Sequence, residues 1–152
     1  LNNVLGLFEN IAERHQQIFY YAEEQDFNIG TEEASNYPKL VVNPSTPVLP
    51  KGGNGYSMLR FSIDLQVIDL LDKDMSNEKD VMSDTMQIIT DIVTEFSSHP
   101  DYFEQGIDIT NDITLESLRG VYDSDATGYK CTLEIEIPLK SSYCTNPVNA
   151  KT

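Results

Sequence analysis

Leu59-Arg60-Phe61-Ser62-Ile63-Asp64-Leu65-Gln66-Val67 decides the fold. Leu59, Phe61, Ile63, Leu65 and Val67 alternate with Arg60, Ser62, Asp64 and Gln66. Side chains on a strand point to opposite faces in turn, so this run has one apolar and one polar face. A strand of that kind belongs to an antiparallel sheet that keeps one side in water. Asp72 to Asn77 breaks it.

Upstream, Tyr37-Pro38-Lys39-Leu40-Val41-Val42 reads as a short strand that Pro44 ends. Asn43 to Gly55 then holds Pro44, Pro47, Pro50, Gly52, Gly53 and Gly55. Connections longer than about 12 residues are usually functional or disordered. Further upstream, Val4, Phe8, Ile11, His15 and Ile18 recur at helical spacing, widened by Leu5, Ala12 and Phe19, with Asn2 and Asn3 as caps. The periodicity predicts a helix that decays after Tyr21, followed by a polar, acidic loop from Glu23 to Asn36.

Downstream, Val81, Thr85, Ile88, Ile89, Ile92 and Phe96 define one face of a second helix, which Pro100 ends. Asp80 and Asp84 stand near its N-terminus, where the helix dipole favours anions. The last third predicts two strands. The first takes Ile107 and Ile109 with Ile113 and Leu115; the second takes Tyr129, Cys131, Leu133, Ile135 and Ile137 and stops at Pro138. The expected fold is α+β, in the order α-β-β-α-β-β. Its antiparallel sheet has about four strands, with two amphipathic helices packed on one face. Residues 1–140 form this single domain, and residues 141–152 form a polar C-terminal arm or tail.

Composition narrows the function. The chain has 152 residues, 10 Lys+Arg and 25 Asp+Glu, a formal net charge of −15. Its ten cations are scattered and never adjacent, which argues against a basic stripe for nucleic acid or an anionic membrane. No apolar run of spanning length and no signal-peptide pattern is legible. Cys131 and Cys144 are the only cysteines and make no disulfide framework, so synthesis in a reducing, intracellular site is expected.

Asp123-Ser124-Asp125-Ala126-Thr127-Gly128 has carboxylates at the first and third positions and a glycine at the sixth of an EF-hand-like loop, with Glu134 at the twelfth. The strand-like alternation from Tyr129 to Ile137 and the cation Lys130 favour an acidic turn instead, with Gly128 supplying an unusual φ. His15 falls on the apolar face of the first helix and His99 at the end of the second, neither with ligands at metal spacing. Cys131 is in phase with the core, so its thiol is expected to be inert, whereas Cys144 falls in the tail. No nucleophile elbow, P-loop or dinucleotide fingerprint is present; Gly53-Asn54-Gly55 is too short and precedes a strand. The expectation is no catalytic residue, no cofactor and no metal. The segments 43–55 and 141–152 read either as mobile surface or as arms that order against neighbouring copies.

The order of several weak motifs carries a resemblance. Arg14-His15-Gln16-Gln17-Ile18 stands in the first helix, Tyr37-Pro38 opens the first strand with Pro44 after it, and Asp69-Leu70 ends the long strand. Ser83-Asp84-Thr85 leads to Asp91-Ile92, Asp123 to Gly128-Tyr129 turns into the last strand, and Tyr143-Cys144 follows. In this order, over most of the chain, the sequence resembles neck and tail-completion proteins of tailed bacteriophages, the tail-terminator and head-to-tail connector group. The likeness extends to phages of gut Bacteroidetes, including the crAss-like group.

The resemblance implies a structural virion protein, made in the host bacterial cytoplasm, that forms a six- or twelve-subunit homo-oligomeric ring. Portal, connector or tail-tube proteins would be its neighbours, and genomic DNA would pass through the lumen without sequence-specific binding. Part of the −15 charge is then expected to line the channel and repel phosphate. The competing readings are a small acidic adaptor or DNA-mimic protein and, third, a calcium-dependent or carboxylate-based enzyme.

Overall fold

The computed structural model describes residues 2–23, 36–53, 55–120 and 125–139. The alternating run forms strand β5 (Met58–Leu70), which pairs along its whole length with β8 (Ala126–Pro138). On the other side of β5 lies β2 (Lys39–Pro44), and beyond it β1 (Tyr20–Glu23). Two short strands, β6 (Asp108–Ile109) and β7 (Glu116–Ser117), both pair with β8. The result is a six-stranded sheet in the order β1-β2-β5-β8-β6, with β7 also on β8. Together with its helices this is an α+β fold.

One face is covered by α1 (Asn2–Arg14) and α2 (Glu78–Ser98). Helix α2 buries Val81, Thr85, Ile88, Ile89, Ile92 and Phe96, the stripe its periodicity predicts. Helix α1 contributes Val4, Leu5, Phe8, Ile11 and Ala12 to the same core, over Leu40, Val42, Phe61, Ile63, Leu65, Val67, Leu133 and Ile135. The helices meet at Phe8 and Phe96, whose ring centroids lie 5.2 Å apart in a tilted pair. Phe96 also packs on Tyr102 of the short helix α3 (Pro100–Phe103).

The opposite face stays largely polar. Arg60 bonds Glu136 directly across the β5–β8 pair, and the Thr132 hydroxyl donates to Asp64 at 2.7 Å. One part of this face is covered: Tyr37, Val41, Ile68 and Leu118 form a satellite cluster. Beside it Lys39 is fully buried, its Nζ 5.0 Å from the Tyr20 ring centroid and 4.5 Å from that of Tyr37. Burial there lowers the lysine's pKa.

Four details differ from the sequence-based expectation. The first helix stops at Arg14 rather than running past Ile18, and a turn leads into β1, which pairs with β2 in parallel. Ile18-Phe19-Tyr20-Tyr21 is β-branched and aromatic, and pairing with β2 outweighs its helical spacing. Ile18 is buried nonetheless, because the turn carries it back onto the same core. The sheet is therefore mixed, not purely antiparallel.

Second, β2 ends at Pro44 as expected, but the run after it is not a free excursion. The chain continues beside β5, with the Ser45 N–H bonding the Ser62 carbonyl and Val48 bridging Arg60. It then folds into a hairpin of β3 (Lys51–Gly52) and β4 (Gly55–Tyr56) that feeds straight into β5. Most of the Pro/Gly excursion is thus hydrogen-bonded structure.

Third, the strand expected through Ile107 to Leu115 is a broken edge. From Ile109 to Glu116 the chain advances seven residues while its partners retreat only five, from Ile135 to Lys130. The two surplus residues bulge out, and the Asn111 side chain bridges the gap by donating to the Thr132 carbonyl and accepting from the Glu134 N–H. Fourth, the sheet has six strands instead of about four, the additions being β1 and the split edge. The acidic loop's residues 24–35 and the proposed arm at 141–152 lie outside the described residues.

Gly128 makes the central pairing possible. It stands opposite Ile68, and a Cβ there would lie 1.9 Å from the Val67 carbonyl oxygen. Its φ of 159° is one that residues with a side chain rarely adopt, as expected from sequence, and the closeness of the two backbones adds a second requirement. Gly128→Ala should destabilise the protein by about 2–4 kcal/mol in urea denaturation. Gly6 lies exposed in α1 with nothing within 4 Å of an added Cβ. Gly6→Ala should raise stability by about 0.5–1 kcal/mol in the same assay.

Candidate functional site

A cluster of ionisable groups lies where the end of α1 crosses α2. Arg14 donates from Nη2 to Glu95 Oε1 at 2.8 Å and to the Tyr102 hydroxyl at 3.2 Å. The carboxylate of Glu95 raises the Arg14 pKa, securing its charge. His15 Nδ1 accepts the Gln17 backbone N–H at 3.2 Å, which leaves Nε2 as the proton-bearing nitrogen facing Asp91 Oδ2 at 3.3 Å. Gln87 donates to the other Asp91 oxygen at 2.8 Å. His99 ends α2 and caps α3, its Nδ1 accepting the Asp101 N–H at 3.2 Å. Together with Ile11, Arg14, His15, Asp91 and Glu95 line a cleft of about 130 Å³. His15 and His99 thus join helix ends to neighbouring carboxylates and backbone. Their partners make this cluster a clasp between α1, α2 and α3, with the exposed Arg14–Glu95 ion pair worth under about 1 kcal/mol.

The calcium-loop pattern is not assembled as a loop. Asp123 and Ser124 lie outside the described residues, and Asp125 precedes β8. Gly128 and Glu134 are both inside that strand. Glu134 is therefore roughly 25–30 Å along the strand from Asp125, too far to close a coordination shell with it. Among the described residues no group of three or more His, Cys, Asp or Glu side chains converges as a metal site. Cys131 is buried in the core, and burial, aided by Asp64, pushes its thiol up to about 12. Cys144 lies outside the described residues.

A different surface stands out at the end of the sheet where β5 begins and β8 ends. The two strands are tied there by the Met58–Pro138 pair and by the Leu139 N–H bonding the Ser57 carbonyl. A groove of about 510 Å³ opens beside them, lined by Leu7, Leu59, Gln105, Ile107, Ile137, Pro138 and Leu139. Its lining carries no charge, and its size is in the range of binding clefts. Phe103, 73% exposed, lies at the end of α3 close by. On the other side of β5, Val48 and Leu49 are 55% and 52% exposed, and Tyr56 on β4 is 58% exposed.

Charge is uneven along the chain. No acid occurs between Glu33 and Asp64, a stretch containing Lys39, Lys51 and Arg60. The far end of β5 and the start of α2 hold Asp69, Asp72, Asp74, Glu78, Asp80 and Asp84. Partial burial, with Asp84 nearby, raises the Asp69 pKa although the Leu70 N–H bonds its carboxylate.

Sequence reasoning singled out the segment 43–55 but missed the groove. A legible signal was the apolar pair Val48-Leu49 set between Pro47 and Pro50. The groove had no such signal, because its lining comes from α1, β5, the α3–β6 turn and the end of β8. No family model and no curated protein matches the chain. No helix among the described residues is long and apolar enough to cross a membrane.

Two measurements follow from these titrating groups. Asp69 holds its proton more tightly in the folded state than its ordinary value of 3.8, so its contribution favours folding at low pH and is lost as pH rises through the raised value. Asp69→Asn keeps the acceptor for the Leu70 N–H. It should equal or exceed parent stability at pH 7, by up to about 1 kcal/mol, with the gap closing at acid pH. In a Cys144→Ser background, Cys131 should resist aqueous thiol reagents in the native state and react stoichiometrically once urea unfolds the chain.

Proposed function

We propose that the chain is the subunit of a homo-oligomeric ring in the neck or tail of a tailed bacteriophage, as a tail terminator or head-to-tail connector. It would act in the virion by packing between portal, connector and tail-tube proteins, and not by catalysis. The observation that carries the reading is the apolar end of the sheet. Val48, Leu49, Tyr56 and Phe103 are each more than half exposed there, beside an uncharged groove, in a chain of net charge −15. Like-charged copies repel one another, so at least one side of a self-association contact should be free of acids. The acid-free stretch that includes the hairpin meets that requirement.

Segregation of charge also supports the idea of a repulsive channel. With the apolar end engaged between subunits, the acids around Asp72, Asp74, Asp80 and Asp84 remain free to face other surfaces, the lumen among them. DNA sliding past such a wall is repelled rather than bound.

The test is native mass spectrometry and negative-stain imaging of the purified chain across a concentration series, alone and with portal or tail-tube proteins. Closed rings of one defined stoichiometry are expected, with the acidic end toward the channel. A stable monomer that displaces DNA from a basic protein would replace this reading with the DNA-mimic one. A monomer whose melting temperature rises with calcium would replace it with the calcium-dependent one.

A further inference from the structure

We propose that neighbouring copies join head to tail, the Val48–Leu49 and Tyr56 hairpin of one copy entering the Leu7–Leu59–Ile107–Ile137–Leu139 groove of the next. The inference rests on the reading of the chain as a ring subunit and specifies its contact.

The two surfaces lie on opposite sides of β5. The run carrying Val48 is bonded on the β2 side, through Ser45 to Ser62 and Val48 to Arg60. The groove is built on the β8 and β6 side, from Ile137, Pro138, Leu139 and Ile107. Those backbone bonds hold a copy's own hairpin away from its own groove, and none of residues 43–57 lines it. Each copy therefore presents one projection and one recess that differ from each other. Such a contact is heterologous, and where its rotation closes it builds a ring instead of a two-fold dimer.

Charge selects the same pairing. Lys51 is the one charged residue between Asn43 and Leu59, and it is exposed at the hairpin. Exposed Glu104 and Asp108 flank Gln105 and Ile107 on the groove side. A hairpin approaching the groove brings the cation to the acids, whereas hairpin-to-hairpin contact sets Lys51 against Lys51 and groove-to-groove contact sets acids against acids. Both self-pairings are disfavoured by like charge. One hairpin covers less than the roughly 800 Å² per partner of a standard stable interface. A single contact should be weak, and closure, which gives every copy two contacts, supplies the strength.

The experiment uses the full chain with Cys144→Ser and adds either Leu49→Cys or Gln105→Cys, the two versions carrying different tags. Mixed and oxidised, they should form the Leu49–Gln105 hetero-disulfide well ahead of either self-pair. Leu49→Asp should raise the assembly midpoint concentration by about tenfold or more. Lys51→Glu should raise it several-fold, and adding Glu104→Lys with Asp108→Lys should restore it. Preferred self-pairs would overturn the proposal. So would rings indifferent to both Leu49→Asp and Lys51→Glu, an outcome that leaves the ring reading standing. So would a Gln105→Cys thiol protected in the monomer and exposed by truncation after Leu139, which would place the chain's own C-terminal residues in the groove. Absence of any assembly by the parent chain, alone or with its virion neighbours, would remove both readings together.

Discussion

Thirteen consecutive residue pairs between β5 and β8 are the constraint on which the rest of the structure depends. Each strand is 13 residues long, and side chains alternate on both. A slip of one residue would turn Ile63, Leu65 and Leu133 toward water and Asp64 and Thr132 into the core. The register is held at one end by the close approach of Gly128 to Val67 and at the other by the Leu139–Ser57 bond. With it in place, Phe61, Ile63, Leu65, Val67, Leu133 and Ile135 offer a continuous apolar floor, and α1 and α2 have one face to bury against it.

The same ladder is long enough to give the molecule two chemically different ends. A 13-residue strand spans roughly 40 Å, several times the distance over which salt leaves charges coupled. At one end the strands run into the hairpin with Lys51 among neutral residues, and into the turn after α3 and the groove, which Glu104 and Asp108 flank. At the other end β5 runs into Asp72, Asp74 and the acidic start of α2.

The polar groups at the crossing of α1 and α2 engage one another. The Asp91–His15 pair has its second oxygen and second nitrogen engaged by Gln87 and the Gln17 N–H, and Glu95 is bonded to Arg14. These contacts orient the end of α1 against α2. The fixed helix positions in turn leave Leu7 at the mouth of the groove.

Periodicity alone determined most of the elements. The alternation around Leu59–Val67 and Tyr129–Ile137 and the helical stripe from Val81 to Phe96 are local properties of a strand and a helix. They survive folding because both elements bury the face their pattern marks. Helix α1 was legible up to Arg14, and the acid-rich composition already argued against a nucleic-acid surface. What only the tertiary structure decided was partnership. Ile18 and Tyr21 are spaced as in a helix yet end in a turn and a strand, because pairing with β2 depends on residues far along the chain. The Pro-rich run after Pro44 became an ordered flank of β5 for the same reason. The groove joins residues from Leu7 to Leu139, so no window of sequence contains it; it exists because packing brings four elements to one end of a sheet.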